Sequence, residues 1–517
     1  MQTRPVKLSI LLIIFITFIS FSPCLKNGFT EWDDQEFVIN NNMIKSLSIE
    51  NIKSIFSIGG DKGDIPFVKS VYLPLTYLSY AVEYHFFQLN PAVYHTTNLI
   101  LHILNSLLVF WLVLMLSRNV FIAFFTSIFF AIHPLRVESV VWICERKDVL
   151  YSFFFFASII SYVYYIKETS YKYYYISLIM FSLSLLSKPM GVSLPVLLCL
   201  FDYFMGRKVN KDIITDKILY FLLSVIFVIM TISLQILYNN PDSKHFTFFY
   251  NICIASYGIF FYTGKLLLPV RLACLYPHPS GYVLHPFFIV SLFLLPVLFF
   301  LIIFSIRYTK KVIFGSLFFF ITWLPVSQLI PVPPGIAADR YTYIPSIGFF
   351  YIIAEGFYWL YNKYNKVVPV IILSLLILTL SFLTWNRCHV WSDSITLWSD
   401  TLNKYPDNFI PYFNRGCAYY SEEEYGRAIA DFSKAIEMNP LYEKSYYNRA
   451  NAYGRSGEYN KAISDYTEAL KLNPDYKEAY YYRGITYYKI GEYDKSKADI
   501  KKAKILGYKV DEFYEQK

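Results

Sequence analysis

The chain has 517 residues, 55% hydrophobic, 20% aromatic and only 16% charged, a balance that excludes an ordinary soluble domain. Its formal net charge of +9 would suggest nucleic acid in a soluble protein. Here the surplus lies in short loops between apolar runs, which is the positive-inside pattern of a membrane protein and excludes a nucleic-acid footprint. Apolar runs recur from residue 8 to residue 386 and then stop. The expected fold class is therefore all-α: a polytopic bundle of about eleven transmembrane helices over 1–386, a connecting helix over 387–406, and a soluble α-solenoid over 407–517.

Residues 8–25 follow Arg4 and Lys7 and lack a small-x-small cleavage site, so they read as an uncleaved first span with a cytoplasmic N-terminus. Two adjacent acids, Asp33 and Asp34, stand a few residues beyond it. The stretch from Lys26 to about Asn90 is mixed in character. Within it Ser48 caps a short helix over IENIKSIF, whose apolar positions suit a membrane surface, until Gly59, Gly60 and Gly63 break it. A second amphipathic piece starts at Tyr72. Further spans are expected at about 91–116, 119–132, 149–166, 172–187, 190–205, 218–238, 282–305, 312–331, 343–361 and 367–385. Those at 119–132 and 172–187 fall short of the ~20 residues a bilayer asks for. They end at His133-Pro134 and Lys188-Pro189, so their polar ends are expected to dip into a protein-lined cavity. Basic residues at 118, 167, 207–217, 307–311 and 363–366 fall on one side if the spans alternate, with 248–270 re-entrant or lying on the outer surface.

Beyond residue 386 the pattern changes. Tyr405-Pro406, Asn439-Pro440 and Asn473-Pro474 recur every 34 residues (406, 440, 474). Arg415, Arg449 and Arg483 align in that frame, as do Gly416, Ala450 and Gly484, and Ala435, Ala469 and Ala503. This is the tetratricopeptide period over three repeats, with small residues where paired helices approach closely. The seven cysteines show no CxxC or metal-like spacing; Cys388 and Cys417 could pair in an oxidising compartment, two free thiols being the simpler reading.

The polar residues that this topology places outside are Asp33, Asp34, His133, Arg136, Glu138, Glu145, Arg146, Lys147, Asp148, Lys188 and Asp339-Arg340-Tyr341. Each has a plain structural alternative. The acid pair could cap a turn, Asp148 could cap the helix that follows, Lys188 and Arg340 could snorkel, and His133 could simply end a helix. Taken together, two carboxylates beside several fixed cations suit a reaction in which a phosphate leaves and a hydroxyl attacks, with a carboxylate as general base and Arg and Lys on the phosphate oxygens. No His/Cys/Asp set has metal-ligand spacing, so no metal site and no cofactor is expected, and a divalent cation has no ligand spacing to support it.

The motifs GFTEWDDQEFVINN, YLPLTYLSY, AIHPLRVESVVWICERKDVL, LLSKPMG, ADRYTYIPSIG and WNRCHVWSDSITLWSDTLNKYPDN resemble those of the transmembrane-and-tetratricopeptide-repeat O-mannosyltransferases, of the GT-C glycosyltransferase fold, over nearly the whole chain. The resemblance implies a GT-C-like membrane domain and transfer of a sugar from a polyprenyl-phosphate donor to a Ser or Thr hydroxyl of an exported protein, recruited by the repeats. It implies that Asp33 or Asp34 supplies the base, that Glu145-Arg146-Lys147-Asp148 forms the second polar loop of the site, and that Arg340 helps hold the donor phosphate. Glu-Arg-Lys-Asp stands where animal members tend to have Gly-Arg-x-Asp, and only three repeats follow. Both departures favour a bacterial relative in an inner membrane with its repeats in the periplasm, an endoplasmic-reticulum membrane with lumenal repeats being the eukaryotic counterpart. Two other readings compete: a membrane-anchored repeat scaffold without catalysis, and a lipid-linked sugar transporter.

Overall fold

The computed structural model describes residues 3–58, 68, 70–208, 210–238, 248–278, 285–329, 335–364 and 366–510. The Gly59-Gly60-Gly63 break lies outside them. The named elements are all helical, and among the described residues the β-type pairing is an isolated bridge between Tyr276 and Ala337. Two compact units divide the chain, Met1–Ser392 and Asp393–Lys517.

Among the described residues of the first unit six helices are long and apolar enough to cross a membrane: Arg4–Lys26, Pro91–Ser117, Ile143–Glu168, Lys211–Tyr238, Pro286–Arg307 and Val367–Val390. A seventh arises if Val120–Ile132 and Pro134–Val141, bent by 56° at His133, form one broken span. By length and composition, six or seven of the described helices qualify, against about eleven expected spans. The remaining apolar helices are shorter or less apolar: Tyr171–Ser187, Leu194–Met205, Lys310–Trp323 and Ser346–Lys363. Residues 248–267 form one continuous helix. Starts follow ordinary capping. Asn90 accepts from the Ala92 N–H with Pro91 in the first turn, Asn119 accepts from Ile122, and Ser48 accepts from Asn51 at 3.2 Å.

The Pro91–Ser117 helix is the spine of this unit. His95, Asn98, His102 and Asn105 recur at three- and four-residue spacing, and all four are buried, so a polar stripe of a membrane-length helix faces inward. Its members bond three different segments. His95 Nε2 lies 3.3 Å from Gly28 O, Asn98 Oδ1 accepts from Arg146 Nε at 2.8 Å, His102 Nδ1 lies 2.7 Å from the Tyr343 hydroxyl, and Asn105 Nδ2 donates to Val149 O at 2.8 Å. One helix therefore fixes three polar segments relative to one another. Elsewhere the Lys310–Trp323 and Ser346–Lys363 helices meet backbone to backbone, since a Cβ added at Gly348 would lie 2.1 Å from Gly315 O.

The second unit stacks three helix pairs, preceded by the lone helix Ser394–Lys404. Each repeat arginine makes a two-pronged ion pair with an aspartate of its own repeat: Arg415 with Asp431, Arg449 with Asp465 and Arg483 with Asp499, at 2.7 and 2.9 Å each. Its third nitrogen donates to a hydroxyl one repeat earlier, on Ser399, Ser433 and Thr467 respectively. Ser399 belongs to Ser394–Lys404, and buried Trp398 stands 34 residues before buried Phe432. That helix is thus the second half of an incomplete repeat. The single connector expected over 387–406 is instead two helices, Val367–Val390 and Ser394–Lys404, parted at 391–393 where Asp393 caps the second by accepting from Thr396 N. None of the cysteines is in a disulfide.

Candidate functional site

The first loop delivers the acid pair in a tight turn. Asp33 O accepts from the N–H groups of Glu36 and Phe37, and a π turn follows over Gln35–Ile39, a helix distortion that recurs at functional positions. The two acids end in different surroundings. Asp34 is 1% exposed and its carboxylate is fully engaged, accepting from Thr30 N at 2.9 Å, Thr30 Oγ1 at 3.0 Å and, across to the second polar loop, Cys144 N at 2.9 Å. Asp33 is only half-buried, and among the described residues no group donates to its carboxylate. Burial pushes Asp33 up to about 7, against the pull of Lys147 and Arg340; the part left open to solvent moderates that push. Burial also raises Asp34, to about 6, opposed by the Thr30 and Cys144 hydrogen bonds.

The second polar loop runs over 133–148 and meets Lys188 and the 339–343 turn. Lys188 lies 2.5 Å from Asp148 and 3.3 Å from Glu145; Lys147 lies 3.0 Å from Glu145; Arg340 Nε lies 3.4 Å from Glu145. Glu138 holds Arg340 twice, accepting from its backbone N–H at 3.1 Å and from its guanidinium. The side chains of Lys147, Lys188 and Arg340 keep 12%, 12% and 15% exposure, against 2%, 4% and 1% for Glu145, Asp148 and Glu138. The cations are therefore the more accessible members of the cluster and the acids the more deeply buried ones. Neighbouring carboxylates, Glu138 first, hold the Arg340 guanidinium well above its ordinary range despite burial, which keeps it charged. Trp142 lies between two of the cations, with Lys147 Nζ 5.6 Å and Arg340 Cζ 5.4 Å from its ring, and stacks on Trp391 at 5.7 Å. Half-buried Trp32 meets Trp142 edge to face at 6.0 Å.

Several expected members stand elsewhere. Arg146 is wholly buried and committed to structure, bonding Glu83 at 2.5 Å, Asn98 at 2.8 Å and Tyr94 O at 2.9 Å, with its guanidinium 4.8 Å from the Tyr80 ring. Arg136 is buried among Phe130, Tyr343 and Thr342, with Nε and Nη1 unpaired there. His133 caps the Pro134–Arg136 turn, its Nδ1 accepting from Leu135 N at 3.3 Å. Asp148 does not cap the following helix, which begins at Arg146; its carboxylate accepts from Ser139 and Lys188. Lys188 and Arg340 do not snorkel, since buried carboxylates hold both. Glu83 and the inward stripe of the Pro91–Ser117 helix were not singled out from the sequence. The stripe has a signal, polar side chains at 95, 98, 102 and 105 inside an apolar run; Glu83 has none. Among the described residues no group of three or more His, Cys, Asp or Glu could hold a metal ion.

Fold and site together define a multi-helix membrane protein with a one-sided cluster of buried charge and a repeat array. Tetratricopeptide-repeat family models match residues 410–442, 443–476 and 465–498. The chain is 25% identical over 453 residues to protein O-mannosyl-transferase F38B6.6 of Caenorhabditis elegans, covering 84% of this chain and 63% of that protein. It is 24% identical over 417 residues to protein O-mannosyl-transferase TMTC3 of Homo sapiens, covering 71% of this chain and 45% of that one. A crystal structure of MamA aligns with 31% of this chain and 87% of its own at 23% identity, with a TM-score of 0.21. The chain is thus similar over most of its length to these two O-mannosyl-transferases, and it spans about half to three-fifths of their own length.

Proposed function

We propose that this protein is a membrane glycosyltransferase that moves a sugar, mannose by likeness to its named relatives, from a polyprenyl-phosphate donor to a hydroxyl, Ser or Thr of an exported protein. The observation that carries the proposal is the contrast within the acid pair: Asp33 has an open, unengaged carboxylate beside the more accessible cations, while Asp34 is saturated by three donors. In this reading Asp33 takes the proton from the attacking hydroxyl as the sugar's anomeric carbon leaves the phosphate oxygen. Lys147, Lys188 and Arg340 stabilise the departing phosphate, and Asp34 locks the first loop to the second. The repeats present the acceptor. Glu-Arg-Lys-Asp at 145–148 supports a bacterial inner membrane with a periplasmic array.

The buried charge cluster favours an enzyme over a bare anchor for the repeats. Taking so many charges out of water costs several kcal/mol per ion, which an anchor has no reason to bear. The test is transfer by the full chain in vesicles. Mass spectrometry of a Ser/Thr peptide incubated with polyprenyl-phosphate mannose should show one added hexose. Absence of any hexose with this and other polyprenyl-phosphate sugars would reject the reading.

A further inference from the structure

The three more accessible cations do not carry equal counter-charge. Lys188 has its own acid in Asp148 at 2.5 Å, and Arg340 has Glu138, which binds it through side chain and backbone. Glu145 is different. It touches all three cations, Lys147 at 3.0 Å, Lys188 at 3.3 Å and Arg340 at 3.4 Å, and it is the carboxylate bonded to Lys147. Its contacts with Lys188 and Arg340 are the longer ones in each case, so those two cations can turn toward another anion at little cost while keeping their dedicated partners. With Glu145 counted, three cations face three acids and the cradle is formally neutral.

That balance matters for the reaction proposed above, on which this inference rests. As the bond from the sugar's anomeric carbon to the phosphate oxygen breaks and the bond to the acceptor oxygen forms, the acceptor proton goes to Asp33. The lipid phosphate changes from a diester with one negative charge to a monoester that can carry two. Without Glu145 the three cations would face two acids, and the net positive charge left over would stabilise this departure and then hold the dianionic product. We infer that Glu145 is a positioning residue for product release: a shared internal counter-ion that holds the three cation heads together and reclaims them from the lipid phosphate after transfer.

The experiment compares inhibition of the full-length protein by polyprenyl phosphate, the dianionic product, with inhibition by its monoanionic methyl ester. In the wild-type protein the two should bind within about threefold of each other, because the cradle is balanced. Glu145→Gln keeps the side-chain shape and removes the charge. It should tighten inhibition by polyprenyl phosphate by about tenfold, the effect of one partly solvated charge pair, while the methyl ester shifts less. Its first turnover should survive as a burst followed by a slower steady state. A purely structural role would instead weaken both inhibitors and abolish the burst, which overturns the inference, as does unchanged inhibition by polyprenyl phosphate. Should Glu145→Gln not fold, the wild-type comparison decides alone: a preference for the dianion above about tenfold contradicts a balanced cradle. Wild-type protein that transfers no sugar and binds neither lipid would reject the functional reading itself. Transfer with the wrong pattern of inhibition rejects only the role of Glu145.

Discussion

At the scale of single residues, adjacency in sequence says little about role. Asp33 and Asp34 share a peptide bond, yet the backbone turn sends one carboxylate into three hydrogen bonds and leaves the other open. If Asp33 is the base, its ionised form is the active one. Because burial raises it to about 7, kcat/KM should fall about tenfold per pH unit below that value and level off above it; a rate that is flat from pH 5 to 8 contradicts the assignment. Asp34→Asn should cost less than Asp33→Asn and act through the loop, leaving a protein more readily cleaved by protease within 28–47. Arg146 is the converse case. Its motif neighbours join the charge cluster, but its guanidinium is spent on Glu83 and Asn98, so Arg146→Met should lower stability by roughly 3–5 kcal/mol, the usual effect of stripping one partner from a buried pair. A thermal-unfolding measurement showing no change would mean that the pair is not formed.

At the scale of elements, what could be read in advance was what repeats or runs. The 34-residue period and the apolar runs located most helices, because periodicity and length are local properties of a chain. What could not be read was which distant groups meet. Lys188 and Asp148 are 40 positions apart, Arg340 and Glu138 202 apart, and nothing local records either pairing. The half-repeat at Ser394–Lys404 lies between these cases: Trp398 occupies the column of Phe432 and Tyr466, but with only one helix of the pair present it looks like a linker. If it is the first member of the array, Trp398→Ala should cost roughly 3–5 kcal/mol and raise hydrogen exchange in Phe409–Ser421, whose Arg415 bonds Ser399. Exchange that rises only within 394–404 would make it a linker after all. The Gly315–Gly348 contact predicts a similar outcome in the first unit. Gly348→Ala forces two backbones apart and should lower stability by about 1–3 kcal/mol, with an unaltered melting temperature showing that the helices can part freely.

At the scale of the whole molecule, one polar-striped helix, Pro91–Ser117, fixes the Gly28 turn, Arg146 of the second polar loop and the Tyr343 turn against the same core. The open acid, Lys147 and Arg340 therefore stand on segments tied to a single support, which is the preorganisation a transfer reaction needs before its donor arrives. The account reduces to the claim that Asp33 accepts the proton when the sugar moves. The most direct test is single-turnover transfer by Asp33→Asn in vesicles with polyprenyl-phosphate mannose at saturating donor and a Ser/Thr acceptor peptide. The account predicts a rate at least about 10²-fold below wild type, with donor binding and the melting temperature unchanged. Asp33→Asn transferring at the wild-type rate would contradict it.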